Sequence, residues 1–234
     1  MLLPEKRQEG VLLRRYKRFL ADIRLADGSE ITVHCPNSGS MKGCSEPGSR
    51  VVISWSDNPT RKYPWSLEMV RCQDFWIGVH TGRTNQLVQE GLEQGIINAF
   101  GKVNSIRREV SLSSGSRLDF LLDTAIGQVY LEVKHCSLAQ DGIGYFPDAV
   151  TTRGARHMRE LARLADAGTQ TAVLYCVQRA DAGVCLPAGH IDPAYALAVR
   201  DAVARGVHFL AWQTEVLPQS LRMTRQIPFQ LDIT

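Results

Sequence analysis

Arg117-Leu118-Asp119-Phe120 and Leu131-Glu132-Val133-Lys134 are the two stretches on which the reading of this chain turns. Each alternates a polar residue with an apolar one, the period of a β-strand with one dry face. In the second stretch Glu132 and Lys134 then share a face and Val133 points the other way. A turn near Gly127 between the two makes a hairpin, which sets Asp119 beside that pair. Two carboxylates on a sheet otherwise built of Leu, Phe, Val and Tyr repel one another, so something positive belongs between them. A divalent cation is the natural candidate. Mg²⁺, or Mn²⁺ in its place, prefers carboxylate oxygen and keeps several waters, leaving room for a phosphate oxygen and an attacking water. Lys134 would orient or help deprotonate that water, or stabilise charge developing on phosphorus.

Outward from this hairpin the pattern is helical on one side. Leu87, Gly91, Leu92, Gly95 and Ile96 recur with helical spacing behind Thr84, which reads as an N-cap. Strands are expected over Ser105 to Leu112, Arg117 to Leu122 and Val129 to Cys136. A helix follows from Thr152 to Ala167, stopped by Gly168, and then a doubly buried strand from Thr171 to Gln178. A last helix over Pro193 to Arg205 and a strand from Val207 to Val216 extend the sheet. Before residue 80 the signal is different. Val11 to Leu25 reads as one long strand, Asp27-Gly28 as a hairpin turn, and Glu30 to Cys35 as the return strand. Short β-type runs at Arg50 to Ser56, Ser66 to Arg71 and Phe75 to His80 complete about five strands, which suggests a small closed barrel of the OB type. The fold class is therefore α/β (α+β overall), with an OB-like barrel over 1–81 and an α/β domain with a mixed central sheet over 82–234.

The chain has 234 residues, 44% hydrophobic and 22% charged, with a formal net charge of +3. That composition is globular and excludes a disordered or collagen-like chain. The first ten residues include Glu5, Lys6, Arg7 and Glu9, so they lack the apolar run of a secretory signal. No stretch is long and apolar enough to span a bilayer, and a cytoplasmic protein with no membrane partner is expected. Six scattered cysteines with no C-x-x-C pair read as reduced thiols. His34-Cys35 and His135-Cys136 do not make a soft-metal site, because neighbours on a strand face opposite ways. Residues 1–80 hold 12 Lys/Arg and 9 Asp/Glu, whereas residues 81–234 hold 15 of each. Arg15, Tyr16, Lys17 and Arg18 bring cations and a ring together, the mixture that grips single-stranded nucleic acid; a strand with a solvated basic face is the alternative. Asn37 and Ser38, with Gly39, would offer a phosphate or a base edge their amides and hydroxyl, or form a tight turn. Arg153 and His157 lie one helical turn apart at a helix N-terminus that favours phosphate. Otherwise Arg153 pairs with Asp148 or Glu160 and His157 packs.

The order helix, three strands, helix, strand, with Asp119 and Glu132-Val133-Lys134 on successive strands, resembles the PD-(D/E)xK nuclease core. Leu118 stands where the signature's name has proline. Nearly end to end, the chain also resembles the sugar fermentation stimulation protein A family, through Arg15-Tyr16-Lys17-Arg18-Phe19-Leu20-Ala21-Asp22, His34-Cys35-Pro36-Asn37-Ser38-Gly39-Ser40-Met41, Arg61-Lys62-Tyr63-Pro64, Ser116-Arg117-Leu118-Asp119-Phe120, Glu132-Val133-Lys134 and Tyr145 to Thr151, then Arg153-Gly154 and His157. The resemblance implies an OB-like domain, a nuclease-like domain and DNA binding; the family name records a phenotype and implies no sugar-binding chemistry. It carries a metal-ligand role onto Asp119 and Glu132 and a catalytic role onto Lys134. Glu90 lies on the helix that opens the nuclease-like domain, where related cores often place another acid; a solvated helix glutamate is the other reading. Arg117 and the basic residues above are the expected contacts to DNA or RNA. Three functions remain open at this point: a metal-dependent phosphodiesterase, a non-catalytic DNA-binding regulator on a nuclease frame, and an oligosaccharide-binding barrel.

Overall fold

The computed structural model describes residues 1–112, 115–125 and 127–232; the expected end of the second segment, 233–234, lies outside them. The first six strands are β1 (Arg7–Tyr16), β2 (Leu20–Leu25), β3 (Glu30–His34), β4 (Arg50–Trp55), β5 (Trp65–Cys72) and β6 (Phe75–Gly78), in the order β3-β2-β1-β4-β5-β6. A bridge from His34 of β3 to Ser66 of β5 closes this sheet into a barrel around Leu12, Ile23, Val33, Ile53, Leu67 and Ile77. The stretch Val11 to Leu25 is two strands where the pattern suggested one. The chain reverses at Lys17 and Arg18, whose φ values are 49° and 63°. Hairpin turns of this hand normally use Gly or Asn, so a turn made of two cations leaves no sequence signal. Part of its stabilisation is the Arg15 guanidinium, which donates to the Arg18 carbonyl at 2.9 Å.

A 3₁₀ turn at Thr81–Arg83 leads into α1 (Thr84–Glu93). Thr84 is not the cap expected of it: it lies inside the helix, and its Oγ1 meets His135 Nδ1 at 3.0 Å. Strands β7 (Val103–Ser111), β8 (Arg117–Thr124) and β9 (Gly127–Cys136) form an antiparallel meander. Then come β10 (Leu138–Gln140), β11 (Ile143–Phe146), α2 (Thr152–Asp166), β12 (Gln170–Val177), β13 (Val184–Pro187), α3 (Pro193–Ala204), β14 (His208–Leu217) and β15 (Ser220–Ile227). The main sheet runs β15-β14-β12-β9-β8-β7, with β9, β12 and β14 parallel. Parallel neighbours need a crossover, and α2 and α3 supply both on the same face. Thr151 caps α2 by accepting the Gly154 N–H at 3.0 Å, and Asp192 caps α3 through Tyr195 N–H at 3.0 Å. Helix α2 buries Ala155, Met158, Leu161 and Ala162 and leaves Arg153, Arg156, Arg159 and Arg163 outside. On the other face α1 packs with Val52, Met69 and Trp76 of the barrel in one apolar cluster. The two sheets therefore share a core. Strands β10, β11 and β13, a separate small sheet, and the antiparallel edge strand β15 were not anticipated; the first three have only four residues or fewer each. Among the described residues no helix is long and apolar enough to cross a membrane.

Candidate metal and nucleic-acid site

Strands β8 and β9 pair from Thr124↔Gly127 as far as Phe120↔Leu131, and there the ladder stops. The next step in that register would be Asp119 opposite Glu132. Instead β8 follows β7, through Val110↔Leu118 and Ser111↔Arg117, while β9 follows β12 out to Cys136↔Val177. The sheet forks at this point. A fork leaves backbone donors without their ladder partners, and buried ones need another acceptor. Asp119 provides it: Val133 N–H donates to Asp119 Oδ2 at 2.8 Å, and Asn85 of α1 donates to Oδ1 at 2.8 Å.

Across the fork, Lys134 Nζ donates to Glu132 Oε1 at 2.6 Å, as two side chains on one strand face can. His157, buried on α2, meets the same oxygen through Nδ1 at 2.5 Å. Arg153 Nε donates to His157 Nε2 at 3.4 Å. That makes Nε2 the acceptor, so the proton facing Glu132 is on Nδ1. The basic pair thus neither takes Asp148 or Glu160 nor stands apart, but lines up behind the carboxylate.

The two acids are driven in opposite directions. Burial raises the Asp119 carboxyl, and the Glu132 charge adds to it, so that it reaches about 6 despite its two donors. Burial opposes ionisation of Glu132 as well, but Lys134 and His157 outweigh it and hold that carboxyl down at about 2. Separation of two neighbouring acids in this way is what a site needs to keep one charged and one poised. Glu132 Oε2 is buried with no hydrogen-bond partner among the described residues. Such an oxygen is costly to leave bare. A hard divalent cation fits it. Among the described residues no cluster of three or more His, Cys, Asp or Glu is gathered there, so the chain offers two carboxylates and water or phosphate would complete the shell, as Mg²⁺ accepts.

The other expected residues fall in different places. Glu90 accepts from the Met1 amino group at 2.7 Å, and it is Asn85, not Glu90, that α1 extends to Asp119. Arg15 is spent on main chain: it donates to the carbonyls of Ser40, Arg18, Asn37 and Gly39 at 2.8–3.1 Å. Tyr16 Oη donates to Asp22 at 3.1 Å, under the Arg14 guanidinium. Lys17 and Arg18 are exposed at the hairpin tip beside Phe19, itself half exposed. Asn37 is buried and makes a turn, accepting Gly39 N–H at 2.8 Å and donating to the Val79 carbonyl at 3.0 Å; Ser38 next to it is open to solvent. Arg117 makes an exposed pair with Glu109 at 3.4 Å. Sequence reasoning missed Asn85, an uncharged amide with nothing local to mark it; Asp148, offered there as a partner for Arg153, instead accepts Met41 N–H at 2.9 Å while its carbonyl accepts from Ser40 Oγ at 2.6 Å.

Comparison with known proteins covers both halves of this architecture. Residues 13–79 match the SfsA N-terminal OB domain, and residues 82–220 match the sugar fermentation stimulation protein RE domain. A sugar fermentation stimulation protein homolog of Geobacter sulfurreducens is 45% identical over 97% of this chain and 98% of its own. Another, from Desulfotalea psychrophila, is 48% identical over 90% of this chain and 89% of its own. The solved structure of Pyrococcus furiosus SfsA in complex with Ca²⁺ superimposes with a TM-score of 0.90 over 98% of each chain, at 20% identity. It shares the fold from the barrel to the last strand.

Proposed function

The chain belongs to the sugar fermentation stimulation protein family, and on that premise we propose that it binds nucleic acid and hydrolyses phosphodiester bonds with a divalent cation held at Asp119 and Glu132. The observation that carries the reading is the bare, buried Glu132 Oε2 at a fork where burial and then the Glu132 charge disfavour ionisation of Asp119. When bound, Mg²⁺ or Mn²⁺ would lower the pKa of a coordinated water and screen charge on the phosphoryl group. The remaining work falls to the chain. Lys134, anchored on Glu132 Oε1, holds a positive charge at the fork against the charge that grows on a pentacovalent phosphorus. His157 occupies that same oxygen, so both of the carboxylate's partners fall on Oε1 and Oε2 keeps its lone pairs for a cation. Arg156 and Arg159 on the outer face of α2, with Lys17 and Arg18 on the barrel, supply exposed cations for the phosphate backbone. The Ca²⁺ complex of the Pyrococcus furiosus protein supports a hard cation in this fold.

One observation favours a second reading. Both Asp119 oxygens already have donors in Asn85 and Val133, an arrangement that needs no metal and suits a DNA-binding regulator that keeps a nuclease frame. Labelled single- and double-stranded DNA and RNA, incubated with Mg²⁺, Mn²⁺ or EDTA beside Glu132→Ala, separate the two. Cleavage by the parent alone, abolished by EDTA, is the expected result. If nothing is cut with either metal while binding persists, the regulator takes the enzyme's place.

A further inference from the structure

Helix α1 brings an amide to the fork, where a further acid was sought. Asn85 sits in the first turn of α1, and its Nδ2 donates to Asp119 Oδ1 at 2.8 Å. An ionised carboxylate only accepts, so the NH₂ end of the amide faces it and the orientation of the side chain is fixed. Glu90, the acid of α1 considered for this place, is bonded to the Met1 amino group instead. We propose that Asn85 is a positioning residue: it orients Asp119 toward a bound cation and, by standing in for a third carboxylate, limits the polymer-free fork to a single divalent ion. This role rests on the metal reading of the fork given above.

A carboxylate oxygen has two lone pairs, and Asp119 commits one on each side, Oδ1 to Asn85 and Oδ2 to the Val133 N–H. Two donors from different elements, α1 and β9, set the plane of the carboxylate without using up its capacity to bind an ion. Outer partners of this kind orient metal-binding groups, and their loss typically lowers affinity by about tenfold to a hundredfold. Asn85 is itself held before any ion arrives. Beside it Thr84 Oγ1 meets His135 Nδ1 at 3.0 Å and accepts from Gln178 Nε2 at 3.2 Å. Leu87, Val88 and Leu92 anchor the rest of α1 in the core shared with the barrel. A donor preset in this way needs little ordering when the ligand binds.

The number of ions follows from the charges. Asp119 and Glu132 bring two negative charges when both are ionised, and Lys134, bonded to Glu132 Oε1, returns a positive one. Among the described residues no group of three or more His, Cys, Asp or Glu stands ready to hold a metal ion. The first divalent ion therefore already exceeds the negative charge that the chain supplies. A second would add two more positive charges beside a buried carboxylate with no further acid to answer them. The phosphates of a polymer would bring that missing charge, so the limit applies to the protein alone.

Titration with Mn²⁺ followed by electron paramagnetic resonance, with no nucleic acid present, reads both the number of bound ions and their affinity. The parent should take a single Mn²⁺ per chain, and Glu132→Ala should lose it, which assigns the ion to the fork. Asn85→Ala, shown by its melt to be folded, should bind that ion about tenfold to a hundredfold more weakly. Asn85→Asp supplies the third carboxylate and should take a second Mn²⁺. A tie that merely fastens α1 to β8 would move the melt and leave the Mn²⁺ affinity alone. Two ions on the parent, or a folded Asn85→Ala that binds within about twofold of the parent, overturns the positioning role and leaves the metal reading standing. So does a folded Asn85→Asp that still takes a single ion, and this variant decides alone if Asn85→Ala does not fold. No Mn²⁺ on the parent, or binding that survives Glu132→Ala, overturns the metal reading and the role of Asn85 with it.

Discussion

Among the described residues two glutamates are buried, and their surroundings differ in one respect. Glu68, in the barrel, is 1% exposed; its Oε1 accepts from Ser54 at 2.5 Å and Arg83 at 2.6 Å, and its Oε2 accepts from Arg83 at 3.2 Å. Glu132, at the fork, is 3% exposed and also has two partners, but both fall on the same oxygen. The first carboxylate is complete and holds the barrel to the turn that leads into α1. The second leaves its Oε2 without a donor among the described residues. Burial of a charge therefore says little by itself; what distinguishes a structural acid from a chemical one is whether every lone pair has been answered.

Exchanging the effects of substitution at these places gives the sharpest test. Asp119→Ala should lower metal-dependent cleavage by at least about a hundredfold with nucleic-acid affinity nearly unchanged, whereas Glu68→Gln should leave cleavage per folded molecule near that of the parent; single-turnover rates would show both. The order reverses in stability. Glu68→Ala strands Arg83 and should cost about 3 kcal/mol, read from denaturant unfolding, and a loss under 1 kcal/mol would break the contrast. Asp119 is expected to go the other way. Its folded-state carboxyl sits near 6 against an ordinary 3.8, so between those values the folded protein keeps a proton that the unfolded chain has released. Stability contributed by this group accordingly falls as pH rises through that window. Asp119→Asn should remove the fall and stabilise the metal-free protein above pH 6 by about 1 to 3 kcal/mol, with no gain at pH 3; denaturant curves at the two pH values decide it. The smallest effect concerns the barrel tip: removing both Lys17 and Arg18 should reduce the slope of log affinity against log salt by about 2.

The α/β half was largely legible in the sequence, because its strands and helices have distinct periods and its helix stops are glycines. Asp119, Glu132 and Lys134 were found together for the same reason: strand alternation and one hairpin are enough to bring them near one another. What the sequence did not show is the divergence of β8 from β9, since no residue type marks the place where a ladder ends. Asn85 escaped with it. The turn at Lys17-Arg18 was hidden because it uses left-handed backbone without glycine. Arg15 was misjudged as a phosphate ligand for a related reason, since a guanidinium that serves carbonyls is indistinguishable by composition from one that serves an anion. The bonds of Ser40 and Met41 to Asp148 join segments more than a hundred residues apart, and local pattern cannot bring them together.

Gly39 has no room for a side chain: a Cβ there would come within 2.4 Å of the Asp148 carboxylate. That close approach adds a steric constraint to the shared core and the Ser40 and Met41 bonds that already join the two halves. A barrel transplanted from a relative would need to arrive with its partner loop from the other half, so positions 39 and 148 form one unit of inheritance. A chimaera that exchanges only one of them joins two sound domains at a seam that does not close.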